Sequence, residues 1–218
     1  MLTSSKLFLK QMEIGPMQNF VYFIGDKTTQ EIAVVDPAWD VEFLRKQAVD
    51  DGYTITSIFL THGHPDHVNG LDAILTSHNV PVYISGHEAD FFVPRCKNLQ
   101  KVEDRKKLKI GTIEFECILT PGHTPGCQCF RYNDTLVTGD AIFIDGCGRC
   151  DLPGSSAKEM YHSLYKIIMP LPDETVIYPG HNYGPTPFDT LSHQKKTNPY
   201  LRCTSLEEFL HDRMGIPF

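Results

Sequence analysis

The stretch THGHPDH, residues 61–67, sets three histidines and an aspartate within seven positions, directly after the apolar run TSIFL. A short apolar run that gives way to a polar, proline-containing segment reads as a buried strand ending in a loop. In extended backbone, residues two apart project to the same side, so His62 and His64 can face one metal ion together. Pro65 favours that geometry, because the residue before a proline is pushed to extended angles. Asp66 and His67 lie just beyond, where the chain turns toward a helix, and can aim at a second ion about 3.5–4 Å from the first. One loop cannot complete two coordination spheres, so the fold must carry further ligands from distant strands to the end of this one.

Three candidates sit in similar settings, each at the end of an apparent strand with a glycine just before it: His123 in LTPGHTPG, Asp140 in LVTGD and His181 in IYPGH. Glycine there permits close backbone approach and unusual torsions. Taken singly, each would be an ordinary surface or hydrogen-bonded residue; the set is what points to a metal centre. The formal charge of −7 leaves no basic field to hold a phosphate backbone, so a small-molecule substrate is expected and nucleic acid is not. No stretch approaches the roughly 20 apolar residues of a membrane helix. The opening MLTSSKLFLKQMEIG has too short an apolar run for a secretory signal, and an odd count of seven cysteines reads as reduced thiols, so the expected location is the cytoplasm.

No repeat, low-complexity tract or long linker interrupts the chain, which reads as one domain over 1–218. LFLKQMEI, NFVYFIGD and EIAVVDP alternate as half-buried strands do. Val41, Leu44 and Ala48 then give helical spacing before Gly52. A strand TSIFLT, the histidine loop, a helical LDAILTSH, a strand VPVYIS and a charged connection from Lys101 to Lys107 complete the first half. The second half runs through strands KLKIG, TIEFECILT, CQCFRYN and TLVTGD, a helical AKEMYHSLYKIIM, a strand ETVIYPG and a helical tail ending in SLEEFLHDRM. Two strand clusters, each followed by helices, predict an α/β (α+β) chain with two sheets packed together and helices outside.

The order H-x-H-x-D-H, G-H, G-D, G-H resembles the metallo-β-lactamase superfamily. That resemblance implies a four-layer αββα sandwich with its metal site at one edge. It implies His62, His64 and His123 at a first metal, Asp66, His67 and His181 at a second, and Asp140 bridging the two. Nitrogen and carboxylate ligands without a thiolate suit two divalent ions, zinc foremost, with iron or manganese also compatible. IFIDGCGRCDLPG after Asp140 and PGHNYGPTP followed by TNPYL look like hydroxyacylglutathione hydrolases (glyoxalase II) and like persulfide dioxygenases. The first branch implies hydrolysis of a thiol ester such as an acylglutathione by a metal-bridging hydroxide. The second implies one iron held by His62, His123 and Asp140. A metal-binding protein without turnover is a third reading, against which the full ligand set argues.

Asp66, Asp140 and Tyr183 are the candidate catalytic residues, and Tyr183 matches a tyrosine near the substrate in these relatives; its plain alternative is a half-buried aromatic. Arg149 could grip a substrate carboxylate in a fork, or pair internally with Asp151. Lys195, Lys196 and Arg202 could replace the basic residues with which longer glyoxalase II enzymes hold glutathione. Cys127 and Cys129 form C-x-C, and Cys147 and Cys150 form C-x-x-C; small packed residues are a better reading of them than a second zinc or redox site. His78, His87, His162, His193 and His211 read as surface histidines, and Met160, Tyr161, Leu164 and Ile168 as packing at helical spacing.

Overall fold

The computed structural model describes residues 6–216; Met1–Ser5, the first part of the segment read above for a secretory signal, lie outside the described residues, as do Pro217 and Phe218. The sequence divides cleanly between two six-stranded sheets. The first holds β1 (Leu7–Ile14), β2 (Asn19–Asp26), β3 (Glu31–Val35), β4 (Thr54–Phe59), β5 (Val82–Ser85) and β6 (Leu99–Val102), side by side in chain order. β1 to β3 are antiparallel hairpins, whereas β3 to β6 run parallel. The second sheet runs in chain order from β7 (Lys107–Ile110) through β8 (Ile113–Leu119), β9 (Gln128–Tyr132), β10 (Thr135–Gly139) and β11 (Val176–Pro179) to β12 (Asp189–Thr190). Only β10 and β11 pair in parallel there.

Helices cover both outer faces. α1 (Val41–Asp50) starts where the Asp40 side chain accepts the Phe43 N–H at 3.0 Å, and it turns Val41, Leu44 and Ala48 onto the first sheet. α2 (Pro65–Val68) and α3 (Leu71–Leu75) follow the histidine loop. On the second sheet, α4 (Ala157–His162) is capped by Ser156 and continues as a π turn over Ser163–Ile168, burying Met160, Leu164 and Ile168. α5 (Leu191–Thr197) and α6 (Leu206–Met214) complete that layer. Between the sheets lies a third apolar cluster, built on Phe20, Tyr22, Ile24, Phe59, Phe115 and Phe130. Three cores stacked between four layers make the αββα sandwich.

Two local expectations change. β2 is buried along its whole length, and β3 nearly so, instead of half-buried. Phe20, Tyr22 and Ile24 enter the inter-sheet core while Val21 and Phe23 pack under the helices, so both faces are covered. The charged segment from Lys101 is partly strand, because β6 pairs in parallel with β5 before the chain crosses to β7. Among the described residues no helix is long and apolar enough to cross a membrane.

Candidate metal centre

Asp36, His62, His123, Asp140 and His181 all follow the C-terminal ends of strands, and those ends meet at one rim of the sandwich. Backbone bonds sew the rim across both sheets: Phe20 donates to the Gly180 carbonyl at 2.8 Å, Gln128 to that of Thr61 at 2.9 Å, and Gly180 to that of Gly139 at 2.8 Å. His64 takes extended angles (φ −64°, ψ 144°) ahead of Pro65, which opens α2. His67 then returns toward His62, with ring centroids 4.2 Å apart. The glycines before the candidates act as the sequence suggests. Gly122 and Gly139 have positive φ, and a Cβ on Gly180 would lie 2.3 Å from Asp140 Oδ1.

The structure brings all seven metal-capable side chains together. His62, His64 and His123 form one group whose donor atoms lie within 4.8 Å of one another, and Asp66, His67 and His181 form another. Asp140 stands between them, with Oδ2 at 3.3 Å from His123 Nε2 and 3.5 Å from His181 Nε2, and Oδ1 at 3.4 Å from His67 Nε2. His67 Nε2 and His181 Nε2 are 3.1 Å apart, and Asp66 Oδ2 is 3.4 Å from His181 Nε2. A tetrahedral ion with bonds of about 2.0–2.1 Å spaces its ligand atoms by about 3.3 Å, so these separations match the edges of coordination polyhedra. Three buried atoms here, His62 Nε2, His123 Nε2 and Asp140 Oδ1, have no hydrogen-bond partner among the described residues. Converging, orphaned lone pairs are what a cation would satisfy.

The hydrogen bonds fix which ring nitrogens are free. His123 Nδ1–H donates to the Arg149 carbonyl at 2.8 Å and His181 Nδ1–H to that of Met17 at 2.9 Å. His67 Nδ1–H donates to Asp36 Oδ2 at 3.0 Å. Thr61 Oγ1–H also donates to that oxygen, at 2.6 Å, so the same hydroxyl accepts from His62 Nδ1–H at 3.0 Å. All four Nε2 atoms therefore face the centre, with the Nδ1 partners outside orienting the rings as imidazole ligands. A further group of Asp36, His62 and His67 falls within the same reach. It is the orienting side of the centre, because the Asp36 oxygens are already taken by Thr61 and His67.

Charge follows the same division. Burial, aided by the neighbouring His67, pushes His62 well below the ordinary histidine range, and burial lowers His64 to about 4. Burial opposes a proton on His67 as well, but Asp140, Asp36 and Asp66 outweigh it and raise this group to about 9. Burial likewise opposes charge on Asp140, which His67, His181 and His123 nevertheless hold well below the carboxylate range.

The centre opens into a cavity of about 140 Å³ whose wall includes Met17, Phe143, Leu152, Arg149 and Tyr183. Tyr183 stacks on the His181 ring at 4.6 Å with planes 9° apart. The Arg149 fork is occupied by Asp151, with two bonds of 2.9 Å. Lys195 is paired with Asp173, and Lys195, Lys196 and Arg202 are absent from the cavity wall. Cys127, Cys129, Cys147, Cys150 and Cys203 pack in the core beneath α4 and α6, and burial raises the Cys127, Cys129, Cys147 and Cys150 thiols. Among the described residues, the groups within reach of one ion contain only His and Asp.

Asp36, Thr61 and Asn19 are parts of the site that the ligand pattern H-x-H-x-D-H, G-H, G-D, G-H does not include. Asn19 Nδ2 donates to Asp66 Oδ2 at 2.9 Å, and its own oxygen accepts from Trp39 Nε1 at 2.8 Å. Asp36 in VVDP had a readable signal, an acid directly after an apolar strand as in LVTGD. The carbonyls of Met17 and Arg149 had none, since every residue carries one.

The chain is similar to known proteins over most of its length. The protein named "Probable polyketide biosynthesis zinc-dependent hydrolase BaeB" from Bacillus velezensis is 35% identical over 89% of this chain and 87% of its own length. The human mitochondrial persulfide dioxygenase ETHE1 is 33% identical over 95% of this chain and 81% of its own length. The crystal structure of ETHE1 from Myxococcus xanthus superposes with a TM-score of 0.86 at 29% identity, covering 96% of this chain and 92% of that one. The model of the metallo-β-lactamase superfamily matches residues 14–181, a span that runs from the end of β1 to the last histidine of the centre. With its αββα layers and a His/Asp cluster built to bind metal at their rim, this chain belongs to the metallo-β-lactamase superfamily of metal-dependent hydrolases.

Proposed function

We propose that the chain is a binuclear hydrolase of small-molecule thioesters, of the hydroxyacylglutathione hydrolase (glyoxalase II) type, housed in one domain. The observation that carries this reading is the pair of ligand groups on either side of Asp140. His62, His64 and His123 would hold one ion, Asp66, His67 and His181 the other, and Asp140 both, with zinc the first choice and iron or manganese compatible. Two such ions, when bound, lower the pKa of a shared water from 15.7 to about 7 and so supply hydroxide at neutral pH.

The remaining work falls to the chain's own groups. Met17, Phe143 and Leu152 offer apolar walls that hold an acyl group and exclude bulk water. Asp66 lines the same cavity with Oδ2 held by the Asn19 amide, which fixes the orientation of its carboxylate toward the reacting groups. Burial first, and then Asp140 and Asp66, raise the Tyr183 hydroxyl above its ordinary range, so it stays protonated and donates a hydrogen bond to the substrate. Arg149 offers a second anchor, a fork that a substrate carboxylate can share with Asp151. Glutathione as the thiol half would need other contacts than Lys195, Lys196 and Arg202, since none of them lines the cavity.

A second reading, a mononuclear iron persulfide dioxygenase, is favoured by the named activity of the human relative. It would use His62, His123 and Asp140, a subset of the same groups. Metal analysis with two assays separates them. Two zinc or mixed ions per chain with hydrolysis of S-lactoylglutathione or another thioester supports the first. One iron with oxygen uptake on glutathione persulfide supports the second. Metal uptake without turnover on an ester, thioester and persulfide panel would overturn both and leave a non-catalytic metal-binding protein.

A further inference from the structure

Glu88, which the metal-capable groups do not include, is a carboxylate buried to 4% exposure beside them. Its Oε2 accepts from the Gly63 N–H at 3.3 Å and from Thr124 Oγ1 at 2.8 Å. Its Oε1 accepts from the Ala89 N–H at 3.0 Å and the Gly126 N–H at 3.3 Å. All four partners are donors, which only an acceptor on both oxygens can satisfy. Gly63 lies between His62 and His64, and Thr124 follows His123, so one side chain ties together two loops that leave different sheets, after β4 and after β8.

The packing around it points the same way. A Cβ on Gly63 would lie 1.8 Å from the Phe92 carbonyl oxygen, and one on Gly126 would lie 2.4 Å from Glu88 Cα. Each loop lacks a side chain where the 88–92 segment is wedged between them. The Phe92 ring meets the His64 ring edge-on, with centroids 4.6 Å apart and planes at 87°. The segment thus braces His64 by contact while Glu88 bonds to the backbone on both sides.

We propose that Glu88 is the positioning residue of the first metal site, its carboxylate holding the H-x-H loop and the His123 loop at the separation that lets His62, His64 and His123 reach one ion. This rests on the metal-site reading above. Asp26 supplies a matched control. It is also a buried carboxylate with four donor bonds, from the N–H and Oγ1 of Thr28 and of Thr112, but it sits at the opposite end of β2 from Asn19 and bonds to no metal-capable residue.

Glu88→Gln is the test. An amide nitrogen in place of Oε2 can be met by the Thr124 hydroxyl, which can turn to accept, but it opposes the Gly63 N–H with a second donor. Zinc affinity is read by competition with a chromophoric chelator, site geometry by the visible spectrum of the cobalt-loaded protein, and folding by thermal melting. Glu88→Gln is expected to weaken zinc binding roughly 10–100-fold and to alter the cobalt spectrum, as outer-shell losses do. Asp26→Asn is expected to lower the melting temperature with affinity and spectrum unchanged. If Glu88→Gln does not fold, Thr124→Val removes one of the four bonds and should weaken binding in the same direction by less. Wild-type affinity and spectrum in the folded Glu88→Gln or Thr124→Val protein would overturn the assignment, as would an equal loss of affinity in Asp26→Asn. Wild-type protein that takes up no zinc or cobalt would instead overturn the metal site itself.

Discussion

Asp36 reaches two rings of the centre with one oxygen, His67 directly and His62 through the Thr61 hydroxyl, while its other oxygen accepts the Thr61 N–H. The consequence is a proton inventory that is fixed before any ion arrives: four Nδ1–H groups point outward and four Nε2 atoms inward. Charge departs from that inventory at two rings: burial opposes a proton on His67, but Asp140, Asp36 and Asp66 hold it protonated up to about 9, and Asp140 raises His181 too, again against burial. A metal ion must displace those protons, so apparent metal affinity should rise from pH 6 to about 9, as a competition titration at stepped pH would show. In the metal-free protein the sign is opposite. A histidine pKa raised above its unfolded value contributes stability in full below about 6.5, and that contribution is lost as pH rises through about 9. Asp140→Asn keeps the size of the side chain but exchanges one oxygen for a donor facing Nε2 groups, so it should remove most turnover. Near-normal rates with both metals retained would refute a bridging role for Asp140. The motif residues were legible because histidines and acids at such spacing are rare by chance. The outward partners were not, because a hydrogen bond to a carbonyl leaves no mark in the sequence.

Strands and helices contribute by where they end. β3, β4, β8, β10 and β11 each stop one to four residues before a functional side chain, so one rim collects what the sequence scatters over more than a hundred positions. At the far end of β2, Asp26 ties the β2–β3 turn to Thr112 in the β7–β8 turn and thereby joins the two sheets. Burial opposes the Asp26 charge, yet the Thr112 and Thr28 bonds hold the carboxyl well below its ordinary range. A depressed carboxyl contributes stability above its unfolded pKa of about 4, and that contribution fades as pH falls below it. Asp26→Asn should therefore cost about 1–3 kcal/mol at neutral pH, read by denaturant melts, and the gap to wild type should narrow in acid. Alternation identified β1, β2 and β3 as strands but not the depth of β2 and β3. A period of two says that side chains alternate between faces, and only the presence of helices on the outer face decides that both are buried.

Across the molecule, the two halves of the chain form separate sheets and share the centre: His62, His64, Asp66 and His67 come from the first half, His123, Asp140 and His181 from the second. Metal bound at this seam would cross-link the sheets, and it would favour the folded state, where the ligands converge, over the unfolded chain. Removing it with a chelator should lower the melting temperature, since an ion at 1,000 times its dissociation constant adds about 4 kcal/mol, and re-addition of zinc should restore it. Calorimetry with and without chelator checks this; identical melts with full metal loss would count against a cross-linking role. The sequence by itself determined the two clusters of strands and the run of metal-capable residues at 61–67, because apolar periodicity and clustered histidines are local properties that survive in one dimension; the superfamily and the wider ligand set followed from the resemblance that the motif order carries. The tertiary structure alone decided which nitrogen of each ring is free, that Asp36 serves two histidines, that Glu88 spans two loops, and that the Arg149 fork is filled by Asp151. These depend on atoms from distant segments meeting within about 3 Å, a hydrogen-bond distance that no spacing along the chain encodes.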